Sequence, residues 1–223
     1  MWDPRRSVAS GAVWSAPLPE RVYGLACVGA ETIVVATAGR QPLLYDVRRM
    51  VAAGNGSGDN PLVSIREPLL KYPTRVIRGF PDGSGWATGS IEGRVAVDFV
   101  EQSAASATAR FAFKCHRQRA QGGGDERVYP VHAIAFHPGF GTFATGGGDG
   151  TVSFWDWAAK KRLSQLPAFA TSIAALAFSR DGTKLAIGVS YMYDEGERDH
   201  PADAIVLRAV AESDVRPKAT LRP

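Results

Sequence analysis

The chain has 223 residues, 45% of them hydrophobic, with 24 glycines, 14 prolines and a formal net charge of +4. That apolar content suffices for one large all-β domain or two small ones, and the glycines and prolines suit many short strands joined by turns. The charge favours acidic partners but is too mild to argue for nucleic acid; no apolar run approaches the ~20 residues that span a bilayer, and the opening Met1-Trp-Asp-Pro-Arg-Arg lacks the apolar stretch of a secretory signal.

In chain order, Trp2-Asp3-Pro4-Arg5 reads as the end of a repeat whose earlier strands are absent. The stretch 11–15, around Trp14, reads as its outer strand, so 1–20 is expected to be a remnant. Residues 21–50 hold a first repeat: 22–28 and 32–37 as strands, a turn at Ala38-Gly39-Arg40, and Leu43-Leu-Tyr-Asp46 as the closing strand. Gly54-Asn-Gly-Ser-Gly-Asp-Asn-Pro61 is expected to be a flexible insertion. A second repeat spans 71–100, with strands at 75–80 and 86–90 and a Glu92-Gly93 turn into 94–99; it lacks a closing Trp-Asp.

Residues 101–110 read as an Ala/Ser-rich loop, Phe111-Ala-Phe-Lys-Cys-His-Arg117 as one outer strand, and 121–125 as another loop; with the repeat that follows they make a unit at 111–157. The last unit, 162–208, starts with an outer strand at 162–166 and contains strands at 171–178, 184–189 and 204–208; it is incomplete. A charged tail fills 209–223 and is expected to fray. Cys27 and Cys115, far apart in strand-like surroundings, are expected to be buried, reduced thiols.

The most informative stretch is Phe143-Ala-Thr-Gly-Gly-Gly-Asp-Gly-Thr-Val-Ser-Phe-Trp-Asp156: a strand, a Gly-Asp-Gly turn and a second strand closed by Trp-Asp. Upstream, Val131-His-Ala-Ile-Ala-Phe136 alternates as a half-buried strand does. Three strands closed by Trp-Asp are most of one blade of a β-propeller, the WD-repeat signature. The expected fold is therefore an all-β WD-repeat β-propeller, partial, with about four blades in an open arc. Its two uncovered end faces should be apolar and adhesive, which predicts poor solubility.

No catalytic constellation, cofactor motif or metal-ligand spacing emerges. His116, His132 and His137 among Asp149 and Asp156 would allow a hydrolase, but Gly-Asp-Gly is a turn and Asp156 closes a repeat, so structural hydrogen bonds are the favoured reading. Cys115-His116 has no second ligand pair at zinc spacing, and the Gly146–Gly148 run lacks the Lys-Ser/Thr of a phosphate loop. The basic residues Arg94, Lys114 and Arg117 remain as candidate partner contacts. Strand alternation would put Lys114 with His116 on one face and Cys115 with Arg117 on the other. An arginine fork suits carboxylate or phosphate; a solvated face or in-sheet ion pairs is the equally weighted alternative.

Several segments together resemble one family. They are Thr74-Arg-Val-Ile-Arg-Gly-Phe-Pro81, Gly89-Ser-Ile-Glu-Gly-Arg-Val-Ala-Val97, the Phe-Lys-Cys-His-Arg segment, Tyr129-Pro-Val-His-Ala-Ile-Ala-Phe136 and Ser190-Tyr-Met-Tyr193 followed by His200-Pro201. The family is the spindle-checkpoint WD-repeat group named "budding uninhibited by benzimidazole", with the nuclear-pore messenger-RNA-export propeller as its sister. The resemblance implies a seven-bladed ring of which roughly the first three blades are missing here, together with the N-terminal strand that completes the last; a truncated chain is the favoured explanation over one whose edges a partner covers.

It also implies a non-enzymatic scaffold in the nucleus, at the kinetochore in mitosis. Such a scaffold binds Bub-type checkpoint kinases through a short acidic motif that meets Arg94, and a phosphorylated kinetochore scaffold whose phosphothreonine meets Arg117. The sister reading is a nucleoporin motif as partner. Nucleic acid and membrane are not expected partners. A second basic phosphate contact of some relatives has no counterpart in Gly139-Phe-Gly-Thr142.

Overall fold

The computed structural model describes residues 9, 11–54, 56–119 and 124–217. These form five antiparallel sheets, four of them with three or four strands. The first joins β1 (Val22–Val28), β2 (Thr32–Thr37), β3 (Leu43–Asp46) and β4 (Leu62–Ile65), with helix α1 (Val47–Gly54) between the last two. The second joins β5 (Thr74–Gly79), β6 (Gly85–Ser90), β7 (Arg94–Phe99) and β8 (Phe111–Lys114), the last preceded by helix α2 (Ala104–Ala109). A two-stranded ribbon follows, β9 (Arg117–Arg119) with β10 (Glu126–Val128). The next sheet holds β11 (Val131–Phe136), β12 (Phe143–Gly147), β13 (Val152–Asp156) and β14 (Lys161–Gln165). The last holds β15 (Ile173–Phe178), β16 (Lys184–Val189) and β17 (Ala204–Ala209), before helix α3 (Glu212–Val215).

Each large sheet meanders outward from its first strand, and those first strands adjoin in the order β1, β5, β11, β15. The sheets stack face to face with apolar cores between them. One core sets Val28, Val34 and Leu44 against Ile77 and Trp86; the next sets Val76, Val95 and Val97 against Val131, Ile134 and Phe143; the third sets Phe154 and Val152 against Ile173, Leu185 and Ile187. Strands β6 and β12 are buried along their whole length because they are sandwiched on both faces. Close approach requires glycine at equivalent places. A Cβ on Gly89 would lie 2.8 Å from Val131, and one on Gly146 would lie 2.4 Å from Ile173. Arginines add cross-links: Arg66, after β4, donates to the Val100 carbonyl, and Arg110 donates to the Glu67 carbonyl at 3.0 Å.

One irregularity repeats. In every large sheet the pairing of the first two strands slips by one residue at the same place: between Val22 and Gly24, Thr74 and Val76, Val131 and Ala133, and Ile173 and Ala175. The extra residues are Tyr23, Arg75, His132 and Ala174. A bulge frees its residue from the ladder and re-aims its side chain. The turns recur too: Asp82 and Asp181 each accept from the backbone two residues on, and Gly83 and Gly182 take positive φ.

Several expectations change. Residues 11–15 form no strand; Trp14 instead lies on Tyr45, ring centroids 5.9 Å apart, because β3 leaves an apolar face that the preceding chain covers. The end of the expected first repeat runs on from Asp46 into helix α1, with Met50 buried, and after the glycine-rich insertion Leu62–Ile65 returns as a fourth strand. The presumed loop at 101–110 contains α2, nucleated by a reciprocal Ser103–Ser106 capping box. The tail docks through Val215, which packs into the core beside Leu166. The Trp2–Arg5 segment, most of the loop at 121–125 and the end of the tail lie outside the described residues. Among the described residues no helix is long and apolar enough to cross a membrane.

The two cysteines also part company. Cys115 is buried, whereas Cys27 is exposed, because alternation along β1 turns Ala26 and Val28 inward. Burial, reinforced by the Asp149 charge, pushes the Cys115 thiol well above its ordinary pKa. A thiol reagent at neutral pH should therefore modify Cys27 in the folded chain and reach Cys115 only after denaturation; mass spectrometry of tryptic peptides reads both.

Candidate functional site

The site is built where the chain passes from the second large sheet to the third. Arg94 opens β7 and Lys114 closes β8, and the two are Cα partners across that pair. Gly93, at φ +62°, forms the turn ahead of Arg94 and receives the Cys115 N–H at 2.9 Å. His116 then takes φ +47°, which breaks the strand and sends the chain into the ribbon. The single outer strand expected through Arg117 is thus corrected: β8 stops at Lys114 and β9 starts at Arg117. The expected alternation fails with it, since Lys114 is exposed while Cys115 and His116 are both buried.

His116 tolerates this backbone because its ring is held on both sides. Nδ1–H donates to Asp149 Oδ1 at 2.9 Å, and Nε2 accepts from the Thr145 hydroxyl at 2.8 Å. Thr145 Oγ1 in turn accepts the indole N–H of Trp155 at 2.9 Å, and Thr151 donates to the other Asp149 oxygen at 2.9 Å. The tautomer follows from the donor inventory, a carboxylate being acceptor only. Burial works against the Asp149 carboxylate, yet hydrogen bonds from His116 and Thr151 outweigh it and hold its pKa below the ordinary value. This relay joins the β8–β9 corner to β12, the β12–β13 turn and β13.

The three histidines do not converge. His132 Nε2 meets Asp194 Oδ2 at 2.6 Å, and Arg75 Nε donates to His132 Nδ1 at 3.2 Å. His137 Nδ1 accepts the backbone N–H groups of Gly139 and Phe140, both at 3.1 Å. Asp156 accepts the Ala159 N–H. Each histidine serves a different network, so the hydrolase reading has no shared centre to stand on. Among the described residues no group of His, Cys, Asp and Glu is arranged to hold a metal ion.

Arg117 is the best-anchored of the three basic candidates, its side chain 15% exposed. Nη1 donates to Glu126 Oε2 at 2.7 Å, Nη2 to the Glu92 carbonyl at 2.8 Å and Nε to the Gly93 carbonyl at 3.4 Å. The Arg117 hydrogen bond holds the Glu126 carboxyl below its usual pKa. Arg94 lies beside Glu92, Nε to Oε2 3.6 Å. Arg94 and Lys114 are thus brought opposite each other, with Arg117 anchored on the turn that precedes Arg94.

Beside the ribbon an open cleft of about 960 Å³ runs between the third and fourth large sheets, lined by Arg127, Tyr129, Phe169, Tyr191, Asp194 and Arg198 among others. The 190–203 segment supplies its far wall. Tyr191 is buried, bonds the Gly196 carbonyl at 2.8 Å, stacks on His200 and carries the Arg198 guanidinium over its ring at 4.8 Å. Sequence reasoning gave these residues no site role. Arg75, His132 and Asp194 are far apart in the chain, and their only sequence signal is the repeated position of Arg75 and His132 within equivalent strands.

A family model for the WD domain, G-beta repeat, matches residues 124–156, the span from the ribbon through β13. The chain thus carries a WD repeat over that span. It is similar over its whole length to mitotic checkpoint proteins. It is 47% identical over 226 residues to the mitotic checkpoint protein BUB3.1 of Arabidopsis thaliana, covering 100% of this chain and 62% of that one, and 42% identical over 222 residues to the mitotic checkpoint protein bub-3 of Caenorhabditis elegans, covering 98% and 61%. A poly(A)+ RNA export protein of Schizosaccharomyces pombe is 36% identical over 220 residues, covering 97% of this chain and 58% of its own length. The chain spans about three fifths of the curated relatives it matches. The checkpoint group and its export sister are the two groups that the motifs resemble.

The buried relay should be a stability determinant. Replacing His116 by alanine strips partners from Asp149 and Thr145 and leaves a cavity, so His116→Ala is expected to lower unfolding free energy by about 2–4 kcal/mol in urea titrations.

Proposed function

We propose that the chain is the partner-recognition part of a mitotic checkpoint scaffold, an incomplete WD-repeat propeller in which the four large sheets are blades and the β9–β10 ribbon is an excursion between two of them. The observation that carries this reading is the 47% identity, along the whole chain, to a mitotic checkpoint protein. The arrangement of Arg94, Lys114 and Arg117 around one turn and one ribbon supports a basic contact surface. Its partners would be a short acidic motif of Bub-type checkpoint kinases, read by Arg94 and Lys114, and a phosphothreonine of a kinetochore scaffold, read by Arg117. The site of action would be the nucleus, and the kinetochore in mitosis.

The chemistry fits. Arg117 keeps spare N–H donors after its contacts to two carbonyls and Glu126, and those carbonyl contacts fix the fork before any ligand arrives. Glu126 is a carboxylate where the phosphate would sit, so it competes with a ligand and selects for one of higher charge. The 36% identity to an RNA export protein favours, as second reading, a nucleoporin motif on the same surface.

Binding of a phosphothreonine peptide from a kinetochore scaffold, measured by fluorescence anisotropy against its unphosphorylated form, tests the assignment. Arg117→Ala should weaken the phosphopeptide by at least ~10-fold and leave a kinase-motif peptide largely unaffected. Glu126→Gln should tighten phosphopeptide binding. Equal affinity for the two peptide forms in the parent chain removes Arg117's phosphate role.

A further inference from the structure

The joints between the large sheets repeat one pattern. On the face a sheet turns to its successor, a glycine and an alanine of the second strand lie beside two large apolar residues of the third. Gly89 and Ala87 pair with Val95 and Val97, and Gly146 and Ala144 pair with Val152 and Phe154. The first strand of the next sheet brings an aliphatic pair three residues apart onto that floor: Val131 with Ile134, then Ile173 with Leu176. All of these apolar side chains are buried. The glycine makes room for the leading residue of each pair, since a Cβ on Gly89 would run into Val131 and one on Gly146 into Ile173.

The same floor recurs on the last sheet, where Gly188 pairs with Ile205 and Ala186 with Leu207. Here it is open. Ile205 is 81% and Leu207 72% exposed, and the atoms nearest to a Cβ on Gly188 all belong to Ala175 of its own sheet. The matching aliphatic pair stands at the other end of the array. Val22 and Leu25 hold the places in β1 that Ile173 and Leu176 hold in β15, on either side of the same bulge, and they are 47% and 59% exposed. Trp14 and Leu18 cover the outer part of that end face, beside Val35 and Tyr45. The internal joints, however, are made by first strands: β11 lies on β5 and β6, and β15 on β11 and β12. One chain thus displays both halves of its own joint, at opposite ends of the array.

We propose that the last sheet is a docking surface for a second copy of this chain, whose β1 seats Val22 and Leu25 on the Gly188 floor beside Ile205 and Leu207. The occupant follows from the fit. The floor takes an aliphatic pair three residues apart in a first strand, and among the described residues Val22 with Leu25 is the pair of that kind left exposed. Two copies satisfy each other reciprocally, because the copy that offers β1 also offers a last sheet. A head-to-tail joint closes into a ring when the rotations match; two sets of four large sheets make eight, the upper end of the usual propeller range. Closure makes the second joint intramolecular once the first has formed, which raises the affinity without a new kind of contact. The joint involves neither Arg94 nor Arg117, so it is independent of the partner reading.

Sedimentation velocity of the full chain over a series from about 1 to about 100 μM tests this. The parent should pass from one copy to two. Leu207→Glu and Leu25→Glu each put a charge into the joint yet alter a side chain that is exposed in the single copy. Both should therefore keep the parent's circular dichroism at low concentration, and each should weaken self-association by at least ~30-fold. An equimolar mixture of the two variants should regain a dimer, weaker than the parent's, because Leu25 of the Leu207→Glu copy still enters the intact last sheet of the Leu25→Glu copy. A parent that stays a single copy throughout overturns the proposal and leaves the face to a different chain. A dimer broken by Leu207→Glu but not by Leu25→Glu overturns it too, since last sheet would then pair with last sheet. So does a mixture of the two variants that remains monomeric.

Discussion

The corner that brings Arg94, Lys114 and Arg117 together hangs on one buried imidazole. His116 adopts a backbone conformation that costs a non-glycine residue roughly 1–2 kcal/mol. It can do so because Asp149 and Thr145 clamp both ring nitrogens. That clamp turns a strand into a corner, and the corner launches the ribbon. The ribbon delivers Glu126 to Arg117, while the Gly93 turn, bonded to Cys115 beside the corner, supplies the carbonyls that orient the guanidinium. A surface feature is thus set by a hydrogen-bond relay several residues beneath it.

Stacking of sheets supplies the rest of the order. The second strands β6 and β12 are covered on both faces and read as continuous small or apolar runs, whereas β17 at the end of the array has Ile205 81% and Leu207 72% exposed, and β1 at the other end has Leu25 59% exposed. The interior between sheets is strongly aromatic where Phe80, Phe99, Phe136 and Trp157 meet, with neighbouring centroids 4.9–5.9 Å apart. Such clusters favour tilted and edge-on contacts, which fix the angle between sheets as well as their spacing.

How much of this was legible in the sequence depends on the range of the interaction. Hairpins such as Phe143–Asp156 were readable because alternation and Gly-Asp-Gly are local. The fourth strand of the first sheet was not, because Leu62–Ile65 is four residues long and follows a glycine-rich stretch that reads as open chain. Helix α2 was hidden in an Ala/Ser run whose only helix signal is the Ser103–Ser106 cap. The strand break at His116 could not be read at all, since nothing in Phe-Lys-Cys-His-Arg announces positive φ; the cause lies in Thr145 and Asp149, around 30 residues away. For the candidate site, the sequence supplied Arg94, Lys114 and Arg117 by residue type and resemblance, but not that Arg117 is already engaged by Glu126. The Arg75–His132–Asp194 line escaped because its members lie 57 and 62 residues apart and nothing local joins them.

The repeated bulge has a consequence for how such a molecule can change over time. Tyr23, Arg75, His132 and Ala174 stand outside the strand ladders, so their identity is not dictated by the need to sit in a pleat. Arg75 and His132 show what constrains them instead: each is chosen to suit the residue at the same place in the next sheet. Repeats that diverge in sequence while keeping one backbone can therefore drift freely at most surface positions, but Arg75 and His132 must drift in step. A change at either creates selection at the other, and the pair should carry a signature of paired substitution.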